Sequence, residues 1–529
     1  MRSLKSPNSL GFLLFIGSSI IFLRGLDYPL LLDDLYAVKQ NPCFQPEVSV
    51  FCILTSNNWG GHEKNPHPLY RPVSSLSIGL TIAFTNDVRV LRFQNATLYA
   101  LLCVSIFAFL IRLGLPLVWS FLGALWFSLH PTHVEAVRFI INREEILASL
   151  FVVLALMYVA NRQSLSFRGY ASVFLLCLLA VFSKESAFMI FLLIPLFANA
   201  HLKQRIVLSG LGLLAVFISV VGRWLVLGRW FPDRIAWQDN PLVLCSGIER
   251  FWHALRLIPT TLSTLFLPTD FTVDYSYDVL GIPLQRDIVG AVLGLLALVF
   301  ALFVVSKARG QVRKAVLFTL VCYIPVSSLV VPSTIIFSER GLLPCSIGSA
   351  WLFALLFQYL WSKGKAFRSA GAIAMFCWFL FFGWKTWTRS EDFSSAIRLY
   401  ASSLSAFPGS SRLHNNLGLA LWDERRLEEA EKHFRMALSI DNKNFYAHQN
   451  LGVLLAYMGR FLEAETHFRE ALKFKATNNK AQSAMCILLV QMGRYEEALE
   501  FCEPLPCTAP LEAKEALRIL QTEGRCGLE

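Results

Sequence analysis

The sequence predicts an all-α protein in two parts, a polytopic membrane helical bundle of about 11 spans followed by a C-terminal α-solenoid. Two observations carry this. Apolar stretches of spanning length recur up to Trp387, and beyond it the composition turns polar and a 34-residue self-similarity begins. Hydrophobic residues make up 55% of the 529 positions and charged residues 16%, with a mean hydropathy of +0.51, a balance foreign to a soluble globular domain. The net charge of +11 fits short cytoplasmic loops rich in Lys and Arg rather than nucleic-acid binding.

Spans need roughly 20 mostly apolar residues. They are expected near 8–25, 94–111, 115–131, 145–161, 169–183, 186–201, 206–227, 287–306, 315–332, 342–361 and 369–386. The first lacks a small-residue cleavage site and reads as a membrane helix. Phe251 to Leu267 is broken by Pro259 and carries His253 and Arg256, so it is read as interfacial or re-entrant. With a cytoplasmic N-terminus, the inner loops hold Arg2, Lys5, Arg112, Arg162, Arg168, Lys203, Arg205, Lys307, Arg309, Arg313, Lys314, Lys363, Lys365 and Arg368. Every Asp and Glu before residue 391 then falls on the outer side. The positive-inside rule concerns Lys and Arg alone, so the segregated acids ask for a second cause, such as an outward-facing polar site.

The bundle is expected over 1–386, with a long outer loop at 26–93, and the repeat domain over 387–529. Leu417-Gly418, Leu421, Ala430, Phe434 and Ala437 recur as Leu451-Gly452, Leu455, Ala464, Phe468 and Ala471; Leu489, Gly493 and Ala498 keep the spacing in a third copy. This is the pattern of the tetratricopeptide repeat (TPR), in which small residues let paired helices pack closely. Repeats are placed at 411–444, 445–478 and 479–512, after a degenerate unit near 377–410.

Several residues could carry chemistry. Asp33-Asp34 follows the first span, where a carboxylate in a partly dry pocket can act as a general base; a solvated acidic pair capping a helix is the structural alternative. Tyr70-Arg71-Pro72 closes the long loop. The run His130-Pro131-Thr132-His133-Val134-Glu135 offers metal-ligand types, but the proline after His130 and the lack of a third strong partner argue against a metal. Arg143 with Glu144, Lys184-Glu185 and Glu339-Arg340 place cations beside acids at the outer ends of spans, where charges are either functional or paired with one another. An acid with several cations at a membrane face suits sugar transfer from a polyprenyl phosphate. The acid deprotonates the acceptor hydroxyl, and the cations hold the departing phosphate.

In this order, Leu32-Asp33-Asp34, Tyr70-Arg71-Pro72, the His130 to Val137 run, Arg143-Glu144, Lys184-Glu185, Glu339-Arg340 and trailing TPRs, the chain resembles the transmembrane and TPR-containing O-mannosyltransferases over nearly its whole length. The resemblance implies a GT-C fold, dolichyl-phosphate mannose as lipid donor substrate, inverting transfer to Ser or Thr, and cadherin-type acceptor proteins; the residues themselves suggest no cofactor or metal. It implies Asp33 or Asp34 as base and Arg340, Arg143 and Lys184 on the donor phosphate. His130, His133, Glu135, Arg71, Glu144 and Glu185 would shape the sugar or acceptor pocket. It further implies the endoplasmic reticulum membrane with a luminal TPR domain, or a periplasmic one in a prokaryote. This sequence departs from the family pattern in its short repeat array and in Glu339 before Arg340.

Two other readings come from different classes: a non-catalytic TPR scaffold, and a transporter or flippase of a lipid-linked substrate. On the outer side, an oxidising compartment would pair some of Cys43, Cys52, Cys486, Cys502, Cys507 and Cys526. The Asn95-Ala96-Thr97 sequon lies too close to the membrane for glycosylation.

Overall fold

A computed structural model describes residues 6–45, 47–60, 69–230, 240–275, 288–330, 332–333, 335–475 and 478–502. Cys507, Cys526 and the end of the third repeat lie outside these. Among the described residues the regular elements are helical, apart from an isolated bridge between Ala160 and Ala198. The chain divides into two compact units, Met1–Ser395 and Ala396–Glu529.

The first unit contains α1 (Pro7–Leu23), α2 (Pro72–Ile82), α3 (Val88–Arg112), α4 (Leu117–Ser128), α5 (Arg143–Val159), α6 (Phe167–Ser183), α7 (Ile190–Phe197), α8 (Leu202–Leu227), α9 (Gly247–Phe266), α10 (Ile288–Lys307), α11 (Gly310–Tyr323), α12 (Leu343–Ser362) and α13 (Lys365–Asp392), with shorter turns between them. Five stretches, Val88–Arg112, Leu202–Leu227, Ile288–Lys307, Arg340–Ser362 and Lys365–Asp392, are long and apolar enough to cross a bilayer; five further apolar helices are shorter, at 10–17 residues. This is a membrane protein, but the eleven expected spans do not return one for one. Local chemistry shortens some of them. The stretch 115–131 is an α-helix only over Leu117–Ser128, because His130-Pro131 starts a separate turn. The stretch 186–201 begins as the 3₁₀ turn Glu185–Met189 and then contains Pro195.

Hydrogen bonds define two ends of this unit. At one, Arg112 Nε donates to Ala160 O (3.0 Å) and the Gln311 amide to Leu113 O, gathering the ends of α3 and α5 with the start of α11. At the other, Arg138 donates to Arg24 O (2.6 Å) and Ser390 Oγ (2.8 Å), and Thr386 Oγ1 to Leu129 O (2.5 Å). These bonds tie the ends of α1, α4 and α13 together.

Helix α9 touches this second end twice. Its Leu265 O accepts from His130 Nε2 (2.9 Å), and near its start Arg250 donates to Val330 O (3.4 Å). It therefore does not run from one end to the other, as an interfacial or re-entrant segment would not. It is, however, continuous through Pro259 rather than broken there. A proline removes the donor owed to the carbonyl four residues before it. That carbonyl, on Leu255, instead approaches Gly294 of α10, where there is no room for a Cβ.

The second unit opens with α14 (Ala396–Ala406). Three helical hairpins follow, α15 (Ser411–Asp423) with α16 (Leu427–Ile440), α17 (Phe445–Tyr457) with α18 (Phe461–Phe474), and α19 (Asn479–Gln491) with α20 (Tyr495–Cys502). Residues 377–392, placed in the expected leading repeat, lie in α13, whose helix runs unbroken past Trp387 to Asp392. Ser410, Asn444 and Asn478, one period apart, cap α15, α17 and α19 through side-chain oxygens. The hairpin turns need positive φ at equivalent places, met by Arg425 (62°), Gly459 (78°) and Gly493 (71°). Charge ties neighbouring repeats: Arg460 bonds Glu431 (2.8 Å) and Glu463 (2.8 Å), and one period later Arg494 bonds Glu465 and Glu497 (2.5 Å).

Candidate active site

The second end of the first unit holds most of its buried charge, and the segment between α4 and α5 organises it. After Ser128 the chain makes a 3₁₀ turn at Pro131–His133 and a short helix at Val134–Arg138, all of it buried. His130 and His133 do not line a pocket. His130 bonds Leu265 O (2.9 Å) and Thr132 Oγ1 (2.7 Å), while His133 bonds the Tyr99 hydroxyl (2.8 Å) and Ser346 Oγ (2.8 Å), and both rings are 0% exposed. With both nitrogens of each committed, they are structural posts. Among the described residues no group of three or more His, Cys, Asp or Glu is arranged for a metal.

Glu135, by contrast, faces Arg340, with Nη1 to Oε1 at 2.6 Å. Arg340 opens the turn that leads into α12 and keeps 20% of its side chain exposed. A larger network adjoins this pair. Arg71, at the N-terminus of α2, donates Nη1 to Glu144 (2.5 Å) and both Nε (2.9 Å) and Nη2 (2.6 Å) to Glu185. Lys184 bridges Glu144 (3.0 Å) and Glu145 (2.6 Å), and Arg223 reaches Glu185 at 3.1 Å. Four cations, Arg71, Lys184, Arg223 and Arg340, thus meet four carboxylates, Glu135, Glu144, Glu145 and Glu185. Glu144 and Glu145 also sit in the first turn of α5, where the helix dipole favours anions.

The two aspartates part company. Asp34 is 1% exposed and accepts from the Ile140 and Ile141 backbone N–H groups, each at 2.9 Å, clamping the long loop onto the turn before α5. Asp33 is exposed and lies within electrostatic reach of Arg340. Leu32, just before them, has φ +49°, a left-handed conformation that a leucine holds only where its surroundings impose it. The Asp34 clamp supplies that constraint.

Arg143 is turned away from the network. It donates to Asn95 Oδ1 (2.7 Å), Ser77 O (2.9 Å) and Leu91 O (2.9 Å) and is 1% exposed, so every arm of its guanidinium is engaged in holding α2, α3 and α5 together. That placement leaves it unable to meet a lipid phosphate. Asn95 is buried too, with its amide donating to Val137 O (3.3 Å) and Phe139 O (3.0 Å), which removes the sequon asparagine from any modifying enzyme. Sequence reasoning missed Glu145 and Arg223. The usable signal for Arg223 was a charge inside an otherwise apolar helix, and for Glu145 its place beside Glu144.

Fold and charge cluster together define a multi-helix membrane protein with a TPR unit and a polar site at one end of its helices. A tetratricopeptide-repeat family model matches residues 409–476. The chain is similar to protein O-mannosyl-transferase F38B6.6 of Caenorhabditis elegans, 23% identical over 83% of this chain and 64% of that protein. It is also similar to the protein O-mannosyl-transferases TMTC3 of Mus musculus, 25% identical over 77% of this chain and 48% of that protein, and TMTC1 of Homo sapiens, 26% identical over 82% and 55%. These similarities extend over most of this chain, and the repeat match lies within its second unit. The chain spans about half to two thirds of the length of these relatives.

Two outcomes follow from the geometry. Arg71→Met leaves Glu144 and Glu185 buried without their shared partner, and the melting temperature of the detergent-solubilised protein is expected to drop by the equivalent of about 3–5 kcal/mol; Arg71→Lys, lacking the planar fork, recovers only part of it. Burial pushes the Asp34 carboxyl up to about 7, against the pull of the Ile140 and Ile141 N–H groups and of Arg92. The folded state therefore holds this proton more tightly than the unfolded chain does, whose aspartates titrate near about 4. The stability so contributed is present below that range and is lost as the pH rises through about 7. Stability of wild type relative to Asp34→Asn, measured from about pH 5 to about pH 8, is expected to fall across the range.

Proposed function

We propose that the chain is a protein O-mannosyltransferase that transfers mannose from a polyprenyl-phosphate donor, dolichyl-phosphate mannose, to Ser or Thr hydroxyls of secretory or cell-surface proteins. The observation that carries this reading is an exposed acid, Asp33, within electrostatic reach of Arg340 at the edge of a buried, charge-balanced frame. In the proposed reaction Asp33 takes the acceptor proton as the hydroxyl oxygen attacks C1 of the sugar. The bond from C1 to the phosphate oxygen breaks on the opposite face, so the configuration inverts. Arg340 receives the departing lipid phosphate, and Lys184, further into the frame, supports the charge. Glu135 orients Arg340, and Arg71, Glu144 and Glu185 fix the frame; Asp34 and Arg143 hold the fold.

The site would face the lumen of the endoplasmic reticulum. The Lys- and Arg-rich loops at the opposite end favour the cytoplasm, and the Cys43–Cys52 disulfide in the long loop favours an oxidising compartment. TPR solenoids bind extended segments, so the second unit is suited to recruiting acceptors, cadherin-like domains among them, and to raising their local concentration. One observation favours a second reading, a non-catalytic TPR scaffold: the network closes in charge without any ligand.

Transfer of labelled mannose from dolichyl-phosphate mannose to a cadherin-domain acceptor, in detergent with a chelator, separates the two. Asp33→Asn is expected to remain folded and to lose about 10²–10⁴-fold in turnover, while Asp33→Glu, which keeps the carboxylate, recovers part of it. Wild type inactive with this and other polyprenyl-phosphate sugars would leave the scaffold.

A further inference from the structure

The first two repeats close their hairpins identically. Gly418 of α15 faces the ring of Phe434 on α16, and one period later Gly452 of α17 faces Phe468 on α18; a Cβ on either glycine would stand 2.7 Å from the ring. A further period along, the same two positions are Cys486 and Cys502, and their sulfurs are bonded. Neighbouring positions of the third hairpin keep the pattern: Met485 stands where Leu417 and Leu451 stand, Ala498 where Ala430 and Ala464 stand, and all of these are buried. At this contact between the two helices both residues have been exchanged at once. Neither change works alone, since a cysteine opposite phenylalanine collides with the ring and a glycine opposite cysteine leaves a hollow.

We infer that the Cys486–Cys502 crosslink replaces the glycine–phenylalanine contact, which makes the third repeat an oxidation-dependent element after two repeats that carry no cysteine. Its formation removes two protons and two electrons from the thiols. An incoming disulfide of a dithiol oxidant accepts both, its own sulfur–sulfur bond breaking to two thiols as the new one forms. Reduction reverses this and returns two small side chains to a space that elsewhere holds a phenyl ring. The opened hairpin then loosens its hold on the second repeat, because Arg494, which pairs with Glu465 of α18, is carried on it. The extent of solenoid offered to a partner is thereby set by the redox state of the compartment. This stands on the hairpin geometry and is independent of the transfer reaction.

The test uses the full chain in detergent. Amide hydrogen exchange is followed by mass spectrometry with and without a phosphine reductant, and alkylation reports the state of each cysteine. On reduction, exchange over residues 479–502 is expected to rise at least about 10-fold while residues 411–440 of the first repeat keep their protection. The double variant Cys486→Gly, Cys502→Phe, which installs the packing of the first two repeats, is expected to be protected with or without reductant. Should that variant not fold, wild type still decides. Complete reduction with unchanged exchange over 479–502, or free thiols at both positions in protein purified without reductant, overturns the inference.

Discussion

Arg71, held between Glu144 and Glu185, is the interaction on which the rest of the membrane unit depends. It joins the start of α2, the first turn of α5 and the loop after α6, three segments far apart in sequence. Burying carboxylates at a helix start is tolerable only with the cations in place, since an isolated buried charge is strongly disfavoured. Once α5 is fixed, so is the turn before it. The Ile140 and Ile141 amides then stand where they bind Asp34, and Asp33 is left facing outward. Glu135 belongs to the same segment, so its hold on Arg340 is set by the same frame.

This dependence gives the proposed chemistry its physical basis. A transferase of this kind gains most from charges already positioned where charge will develop. A network that balances its own charge can be buried and rigid, while Arg340 and Asp33 at its rim are the groups proposed to meet a donor and an acceptor. The redox-dependent third repeat adds a different sort of control, over how much of the solenoid is presented rather than over the reaction.

How much of this the sequence disclosed follows from the range of each interaction. The repeats were legible because their pattern is local and recurs: Gly418 with Phe434 and Gly452 with Phe468 announce themselves by spacing. The polar residues of the site were legible as types at the ends of apolar runs, but their pairings were not. Glu135 and Arg340 lie 205 residues apart, and no local signal joins them. Adjacent residues were also misleading. Arg143 and Glu144 are neighbours on a helix, and successive helical positions point about 100° apart, so one faces the frame and the other the packing of α2 and α3. His130 and His133 looked like ligands by residue type, yet the interior consumed both as hydrogen-bonding posts. The disulfide in the third repeat could have been read from the sequence by continuing the alignment one period further, where glycine and phenylalanine both become cysteine.

The most direct test of the central claim is an experimentally determined structure of the full chain in a lipid nanodisc with a non-transferable phosphonate analogue of dolichyl-phosphate mannose. The phosphonate is predicted to lie on Arg340, with the sugar C1 turned toward Asp33 and the Arg71 frame unchanged. A phosphonate bound at the opposite end of the helices, or Arg340 still closed on Glu135 with the lipid elsewhere, would contradict it.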